Sequence, residues 1–286
     1  VIVPAVLAGN SVLVKHASQT ALVADQFERA FLAAGAPEGL VQAMPMSHAT
    51  TAQLIGSRAL GYVSFTGSVR GGHEIYRALA QENFIHAGME LGGKDPALVL
   101  EDADVAFAAE NLVDGAFYNA GQSCCGIERI YVASKVFDDF VDAYVALTKQ
   151  YVIGDPLAEG TTLGPLVDAK SAAFVRNQVA AACAGGAKQL VGDADFDVPD
   201  RSDCYLAPQV LTNVDHSMAL MHEETFGPAI GIMRISNESE GISLMNDSEF
   251  GLTASIWSGD FDRASRIAED VEAGTVFANR CDYLDP

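Results

Sequence analysis

Asn119-Ala120-Gly121-Gln122-Ser123-Cys124-Cys125 puts a thiol on a short run of small and polar residues, directly after an amphipathic helical pattern. A thiol does chemistry only when it ionises and can be reached. A turn gives access, and the N-terminus of a following helix would lower the thiol pKa. Glu90 stands 34 residues earlier, in Met89-Glu90-Leu91-Gly92-Gly93-Lys94. Apolar residues flank that carboxylate, and the paired glycines after it let another group approach. One thiol and one carboxylate are the minimum for covalent catalysis, a nucleophile plus a general base. A lone free cysteine is ordinarily a small buried hydrophobe, and a strand-end glutamate is ordinarily a solvated charge. Their setting therefore has to decide.

The setting is an alternation of strand and helix signals. In the first third, strands are expected at 12–15, 40–44, 62–66 and 84–91, and helices at 21–34, 50–59 and 69–81. Gly35 and Pro37 close the first helix. Such alternation predicts a parallel sheet with covering helices. Ligands in such sheets bind beyond the carboxyl ends of strands, where Phe65-Thr66-Gly67-Ser68 falls, with Gly71 and Gly72 in the helix that follows. After a Gly-Gly hinge at 91–94, strands are expected at 96–100, 188–191, 229–235, 253–257 and 275–278. Helices are expected at 104–116, 135–150, 168–184 and 261–271. The 104–116 helix carries Val105, Ala108, Ala109, Leu112, Val113 and Ala116 as one apolar stripe. The polar, Asp-rich 192–202 stretch is expected to be a surface loop.

Gly9-Asn10 with Val12-Leu13-Val14-Lys15, Phe65-Thr66-Gly67-Ser68, Met89 to Lys94, Asn119 to Cys124, and Glu223-Glu224-Thr225-Phe226-Gly227-Pro228 together resemble the aldehyde dehydrogenase superfamily. The five motifs stand in family order, and the resemblance runs on to Gly274-Thr275-Val276 and Asn279. It implies an α/β fold, with part of a Rossmann-like cofactor-binding domain at 1–91 and an α/β catalytic domain at 92–286. It implies oxidation of an aldehyde to a carboxylic acid with NAD or NADP, through a cysteine thiohemiacetal and thioester. The family places its nucleophile two residues after the glutamine, which selects Cys124 over Cys125. Glu90 is then the base that activates water. Lys15 and Ser18 resemble the pair at the adenosine ribose. Phe65, Gly67, Ser68 and Leu91 correspond to cofactor contacts, and Glu224 and Phe226 to residues at the nicotinamide ribose and ring. Many NAD-preferring relatives carry a glutamate where Ser18 stands, so Ser18 permits NADP. Tyr118 occupies the position of an arginine that captures the substrate carboxylate in succinate-semialdehyde enzymes. Tyr118 and Cys125 are accordingly assigned to the substrate side. Met44-Pro45-Met46-Ser47-His48 replaces the usual Gly-rich turn before the second cofactor-domain helix.

Lys and Arg number 17 and Asp and Glu 38, a net charge of −21. Such a surface repels nucleic acid and anionic lipid, so neither is expected as a partner. The five cysteines are odd in number and contain no CxxC pair, which argues for reduced thiols in the cytoplasm. No metal-ligand spacing is present, and no apolar run reaches transmembrane length. The chain starts Val-Ile-Val-Pro and is expected to be the middle of a longer protein, a homodimer or homotetramer when complete. The family's oxyanion asparagine would precede Val1, so the isolated chain is expected to be poorly active. Two alternatives stand beside this reading: a non-catalytic nucleotide-binding homologue and a CoA-acylating dehydrogenase, the latter disfavoured by Glu90.

Overall fold

The computed structural model describes residues 1–199 and 203–281. The last part of the expected 192–202 loop, 200–202, lies outside the described residues. The chain divides into two compact units, Val1–Leu91 and Gly92–Pro286.

The first unit runs α1 (Ile2–Leu7), β1 (Val12–Val14), α2 (Ala21–Ala33), β2 (Val41–Ala43), α3 (His48–Gly56), β3 (Tyr62–Thr66), α4 (Val69–Glu82) and β4 (His86–Glu90). The short helix α1 went unassigned in the sequence. Its Pro4 sits in the first turn, where a missing N–H costs nothing. Ser47 caps α3 by accepting from the Thr50 amide, and Ser68 caps α4 by accepting from the Gly71 amide. These side chains satisfy amides that have no partner within the helix. The expected parallel pairing is present but divided. β1 pairs with β2 and β3 with β4, as two separate two-stranded sheets. Hydrophobic alternation specifies the elements, whereas backbone pairing depends on where the chain carries them. Ile55, Val63, Ala78 and Leu79 form a small core under α3 and α4.

The second unit is built on one seven-stranded sheet. Its elements are β5 (Asp95–Val99), α5 (Val105–Phe117), β6 (Ile127–Ala133), α6 (Phe137–Thr148), α7 (Ala169–Ala184), β7 (Lys188–Val191), β8 (Gln209–Thr212), α8 (Ala219–His222), β9 (Ala229–Ile235), α9 (Glu238–Asn246), β10 (Thr253–Trp257), α10 (Phe261–Ala268) and β11 (Thr275–Ala278). The strand order is β11-β10-β5-β6-β9-β8-β7, and every pairing is parallel except β7 with β8. Every residue of β5, β6 and β10 is buried, as expected for parallel strands covered on both faces. Alternate side chains enter opposite cores. Ala97 and Val99 join Leu112, Phe117, Phe140 and Tyr144 of α5 and α6 on one face. Leu98 and Leu100 join Val175 of α7, Met245 of α9 and Ile267 of α10 on the other. Each large apolar side chain so buried contributes roughly 1.5–3 kcal/mol. Among the described residues no helix is long and apolar enough to cross a membrane.

Candidate active site

The chemistry-bearing segments of the second unit precede three neighbouring strands. Gly92-Gly93-Lys94 leads into β5, Asn119 to Gly126 into β6, and Glu223 to Pro228 into β9. β5, β6 and β9 are adjacent and parallel, so their leading segments meet at one edge of the sheet. That edge carries the amino ends of the strands, opposite to the carboxyl-end rule for open α/β sheets.

The thiol turn is unusual in its backbone. Asn119, Ala120 and Gly121 are all left-handed, with φ of 52°, 56° and 70°. For alanine this conformation costs roughly 1–2 kcal/mol, and the surroundings must impose it. The Asn119 Nδ2 donates to the Gln122 carbonyl at 3.0 Å, and the Gln122 Nε2 donates back to the Asn119 carbonyl at 3.0 Å. The Gln122 Oε1 accepts from the Val167 amide at 2.7 Å. A Cβ on Gly121 would strike the Gly227 carbonyl, and one on Gly93 would strike the Cys124 carbonyl. The three segments thus approach as bare backbone. Cys124 is half-buried, whereas Cys125 is only 4% exposed, with its Sγ 3.6 Å from the Ser123 Oγ. Tyr118, at the end of α5, is exposed.

One expectation is corrected here. A helix is expected to follow Cys124, but the structure has β6 there, after a single tight turn. Ile127-Glu128-Arg129-Ile130-Tyr131-Val132 is rich in β-branched and aromatic residues and fits a buried strand. Thiol activation by a following helix N-terminus therefore does not operate at Cys124.

A network of buried charges lies beneath the turn. Lys94 is wholly buried, and its Nζ donates to the Glu128 Oε2 at 2.7 Å and the Thr225 Oγ1 at 2.9 Å. Burial lowers the Lys94 pKa, against the Glu128 carboxylate, which raises it. The Glu128 carboxylate also accepts the Thr225 amide on Oε2 at 2.7 Å and the Phe226 amide on Oε1 at 2.8 Å. Arg129 donates to the Lys94 carbonyl at 2.7 Å and to the Met245 carbonyl at the end of α9 at 2.8 Å. Asp95 accepts from the Thr253 amide and hydroxyl, yet burial pushes its carboxyl up to about 7. Beside these, the Glu224 Oε1 accepts from the Gly93 amide at 3.1 Å. Burial, with the Glu128 carboxylate adding to it, raises the Glu224 pKa. A side chain on Gly92 would run into that same carboxylate. Phe226 follows with φ of 48° and an exposed ring.

The remaining candidates lie in the first unit. Glu90 ends β4, is exposed, and pairs in register with Thr66 of β3. Its carbonyl accepts from the Gly67 amide at 2.9 Å. The Phe65 ring fills the space that side chains on Gly67 and Gly71 would need, which explains both glycines. Leu91 packs against Gly72 of α4. Half-buried Lys15 follows β1, and exposed Ser18 opens a short turn before α2.

Residues 1–285 match the aldehyde dehydrogenase family. The chain belongs to that family. It is 34% identical over 276 residues to a betaine aldehyde dehydrogenase of Sinorhizobium fredii, covering 96% of this chain and 56% of the relative. It is 37% identical over 281 residues to a 3,6-anhydro-alpha-L-galactose dehydrogenase of Streptomyces coelicolor, covering 98% and 57%. A solved NADP-dependent glyceraldehyde-3-phosphate dehydrogenase from Bacillus halodurans C-125, complexed with NADP, superposes with a TM-score of 0.92 at 36% identity. That superposition covers 100% of this chain and 58% of the other. The chain thus spans somewhat more than half the length of these relatives.

For an aldehyde dehydrogenase chain, the family motifs pointed to Cys124, Glu90, Glu224 and Phe226 but gave no weight to Lys94, Glu128 or Arg129. A signal was present. Glu128 and Arg129 are adjacent charges inside an otherwise apolar strand, and buried charges need partners.

Proposed function

We propose that the protein carrying this chain oxidises an aldehyde to a carboxylic acid, with NAD+ or NADP+ as hydride acceptor. One observation carries the reading. The Cys124 turn, the Gly92-Gly93 pair and the Glu224-Thr225-Phe226 segment converge at the amino ends of β5, β6 and β9 in a chain of this family. The relatives named above as aldehyde and sugar dehydrogenases, and the solved relative that contains NADP, support it.

The residues present fit a dinucleotide. Glu224 is half-buried, and Phe226 turns 41% of its surface out two residues later. A carboxylate suits ribose hydroxyls, and a flat apolar ring suits the nicotinamide. Lys15 and Ser18 would serve the adenosine ribose, and the Phe65, Gly67, Ser68 and Leu91 region the groups between. When bound, the dinucleotide accepts the hydride released from the aldehyde carbon.

The chain's own residues do the rest. The Cys124 thiolate attacks the carbonyl carbon, forming a C–S bond and an oxyanion. Backbone N–H near Cys124 holds that oxyanion. As the carbonyl re-forms, the carbon gives up its hydride and Cys124 carries a thioester. Glu90 takes a proton from water, the hydroxide adds to the thioester carbon, and the C–S bond breaks. The acid leaves, Cys124 is again a thiolate, and Glu90 passes its proton to solvent. Tyr118, in place of a carboxylate-capturing arginine, favours aldehydes without a second carboxylate, whereas Cys125, 4% exposed, is too buried to meet the substrate directly. An odd number of cysteines with no CxxC pair fits a reducing cytoplasmic setting.

The test follows reduced nicotinamide and identifies the product with and without CoA. Free acid in both cases supports the reading. A strictly CoA-dependent thioester product, or no turnover of any aldehyde by the complete protein, sinks it.

A further inference from the structure

We infer that Glu128 is a positioning residue of the proposed cofactor site, its carboxylate clamping the 224–226 segment so that Glu224 and Phe226 face the nicotinamide half. The inference rests on the dinucleotide reading above. It starts from an arrangement that neither strand pairing nor packing requires. Glu128 belongs to β6, yet its two oxygens accept the consecutive amides of Thr225 and Phe226, at 2.7 and 2.8 Å, in another segment. Hydrogen bonds to a charged acceptor are shorter and stronger than neutral ones. Two of them on successive amides fix the orientation of both peptide planes.

The clamped residue is the one that needs fixing. Phe226 is left-handed at φ 48°, a conformation that a bulky residue keeps only where its surroundings over-determine it. Glu224, on the other side of Thr225, has its carboxylate placed on the Gly93 amide. Lys94 holds the clamp in turn, reaching both the Glu128 carboxylate and the Thr225 hydroxyl. A buried ion pair adds little net stability over a well-packed apolar pair. An apolar pair, however, supplies no acceptor for two backbone amides. The charge at position 128 is thus explained by geometry rather than by stability. Its second effect is electrostatic, because the Glu128 carboxylate helps raise the Glu224 pKa.

The test measures cofactor dissociation constants in the complete protein, by fluorescence of the reduced nicotinamide, together with KM and kcat. Glu128→Gln keeps the side-chain size but brings a donor to a site crowded with donors. It is expected to raise the cofactor Kd and KM about tenfold or more, as loss of hydrogen bonds to a charged group does. The aldehyde KM should stay within about twofold, since sites that share no partner add independently. Glu224→Ala alone is expected to weaken the cofactor as well, and adding Glu128→Gln to it should cost clearly less than it does in wild type, because the part of the loss that runs through Glu224 is already incurred and only the part through Phe226 remains. Fully additive losses, or a Glu128→Gln protein that melts earlier but binds cofactor normally, overturn the inference. If Glu224→Ala itself leaves cofactor binding unchanged, the dinucleotide reading falls with it. Breaking one side of a buried pair threatens folding, so Lys94→Met with Glu128→Gln is measured in parallel, and the same cofactor-specific loss is required of it. Thr225→Val retains both charges and loses only the Lys94 contact. It is expected to raise the cofactor Kd about threefold, the effect of one lost side-chain hydrogen bond, and an unchanged value there also overturns the inference.

Discussion

Two adjacent cysteines with different surroundings give the residue scale its first prediction. Cys124 is half-buried and Cys125 nearly sealed, and only a reachable thiolate reacts quickly. Limiting iodoacetamide followed by peptide mapping should label Cys124 before Cys125 and Cys183. Cys124→Ser should lower turnover by at least about 10³-fold, as removal of a nucleophile does in other covalent enzymes. In the proposed mechanism Glu90 acts in the later half of the reaction. Glu90→Gln is therefore expected to keep a rapid first equivalent of reduced nicotinamide while slowing steady-state turnover by roughly 10²–10⁴-fold. Loss of the burst itself would assign Glu90 to an earlier step. Ser18 is proposed to serve the cofactor's other end. A carboxylate there repels a 2′-phosphate, so Ser18→Glu should shift the kcat/KM ratio towards NAD. An unchanged ratio in steady-state assays with both cofactors removes Ser18 from the site.

At the scale of elements, the candidate site is a consequence of strand order. Because β5, β6 and β9 are neighbours running the same way, the segments that lead into them meet whatever their distance in sequence. Close approach then demands glycine at the crossing points. Gly121→Ala combines a left-handed φ of 70° with a collision against the Gly227 carbonyl. It is expected to destabilise the protein by about 2–4 kcal/mol. Urea midpoints read that loss, and activity measured where the variant is still folded should fall further than stability accounts for. A Gly121→Ala protein with normal stability and turnover would show that the turn is not held against the 227–228 backbone.

For the whole molecule, the buried charges make stability depend on pH. Asp95 is 1% exposed, and burial pushes its carboxyl from 3.8 to about 7, with Thr253, Glu128 and Arg129 facing it. Between these values the folded chain binds a proton that the unfolded chain does not. Its contribution is therefore full below about pH 4 and is lost as pH rises through about 7. Asp95→Asn retains an acceptor for Thr253 and removes the ionisation. The variant should gain stability over wild type on going from pH 5 to pH 8, by up to about 3 kcal/mol, since the slope of about 1.4 kcal/mol per pH unit applies only up to about pH 7. Denaturant midpoints at the two pH values check it, and parallel pH profiles for the two proteins would contradict it. Exposed charges are screened by salt. The Asp95 effect should persist at high ionic strength.

The type of most elements and the family were legible in the sequence alone. The helical stripe from Val105 to Ala116 and the strands at 188–191, 229–235, 253–257 and 275–278 were legible because period is a local property. The units meet in sequence between Leu91 and Gly92, inside the expected Gly-Gly hinge. Motif order carried the family, since short spacings survive without knowledge of pairing. The buried strand β6 was not legible, because its Glu-Arg pair breaks both alternation and apolarity. Nor were α8 and α9, which are short, or the division of the first unit into two small sheets. That the thiol turn leads into a strand, that Lys94 and Glu128 are partners, and that three distant segments share one sheet edge emerges from the folded chain. The physical reason is the same in each case. Pairing a strand or burying a charge is settled by residues about 30 to 130 positions away in the chain, and such partners leave no mark on local periodicity.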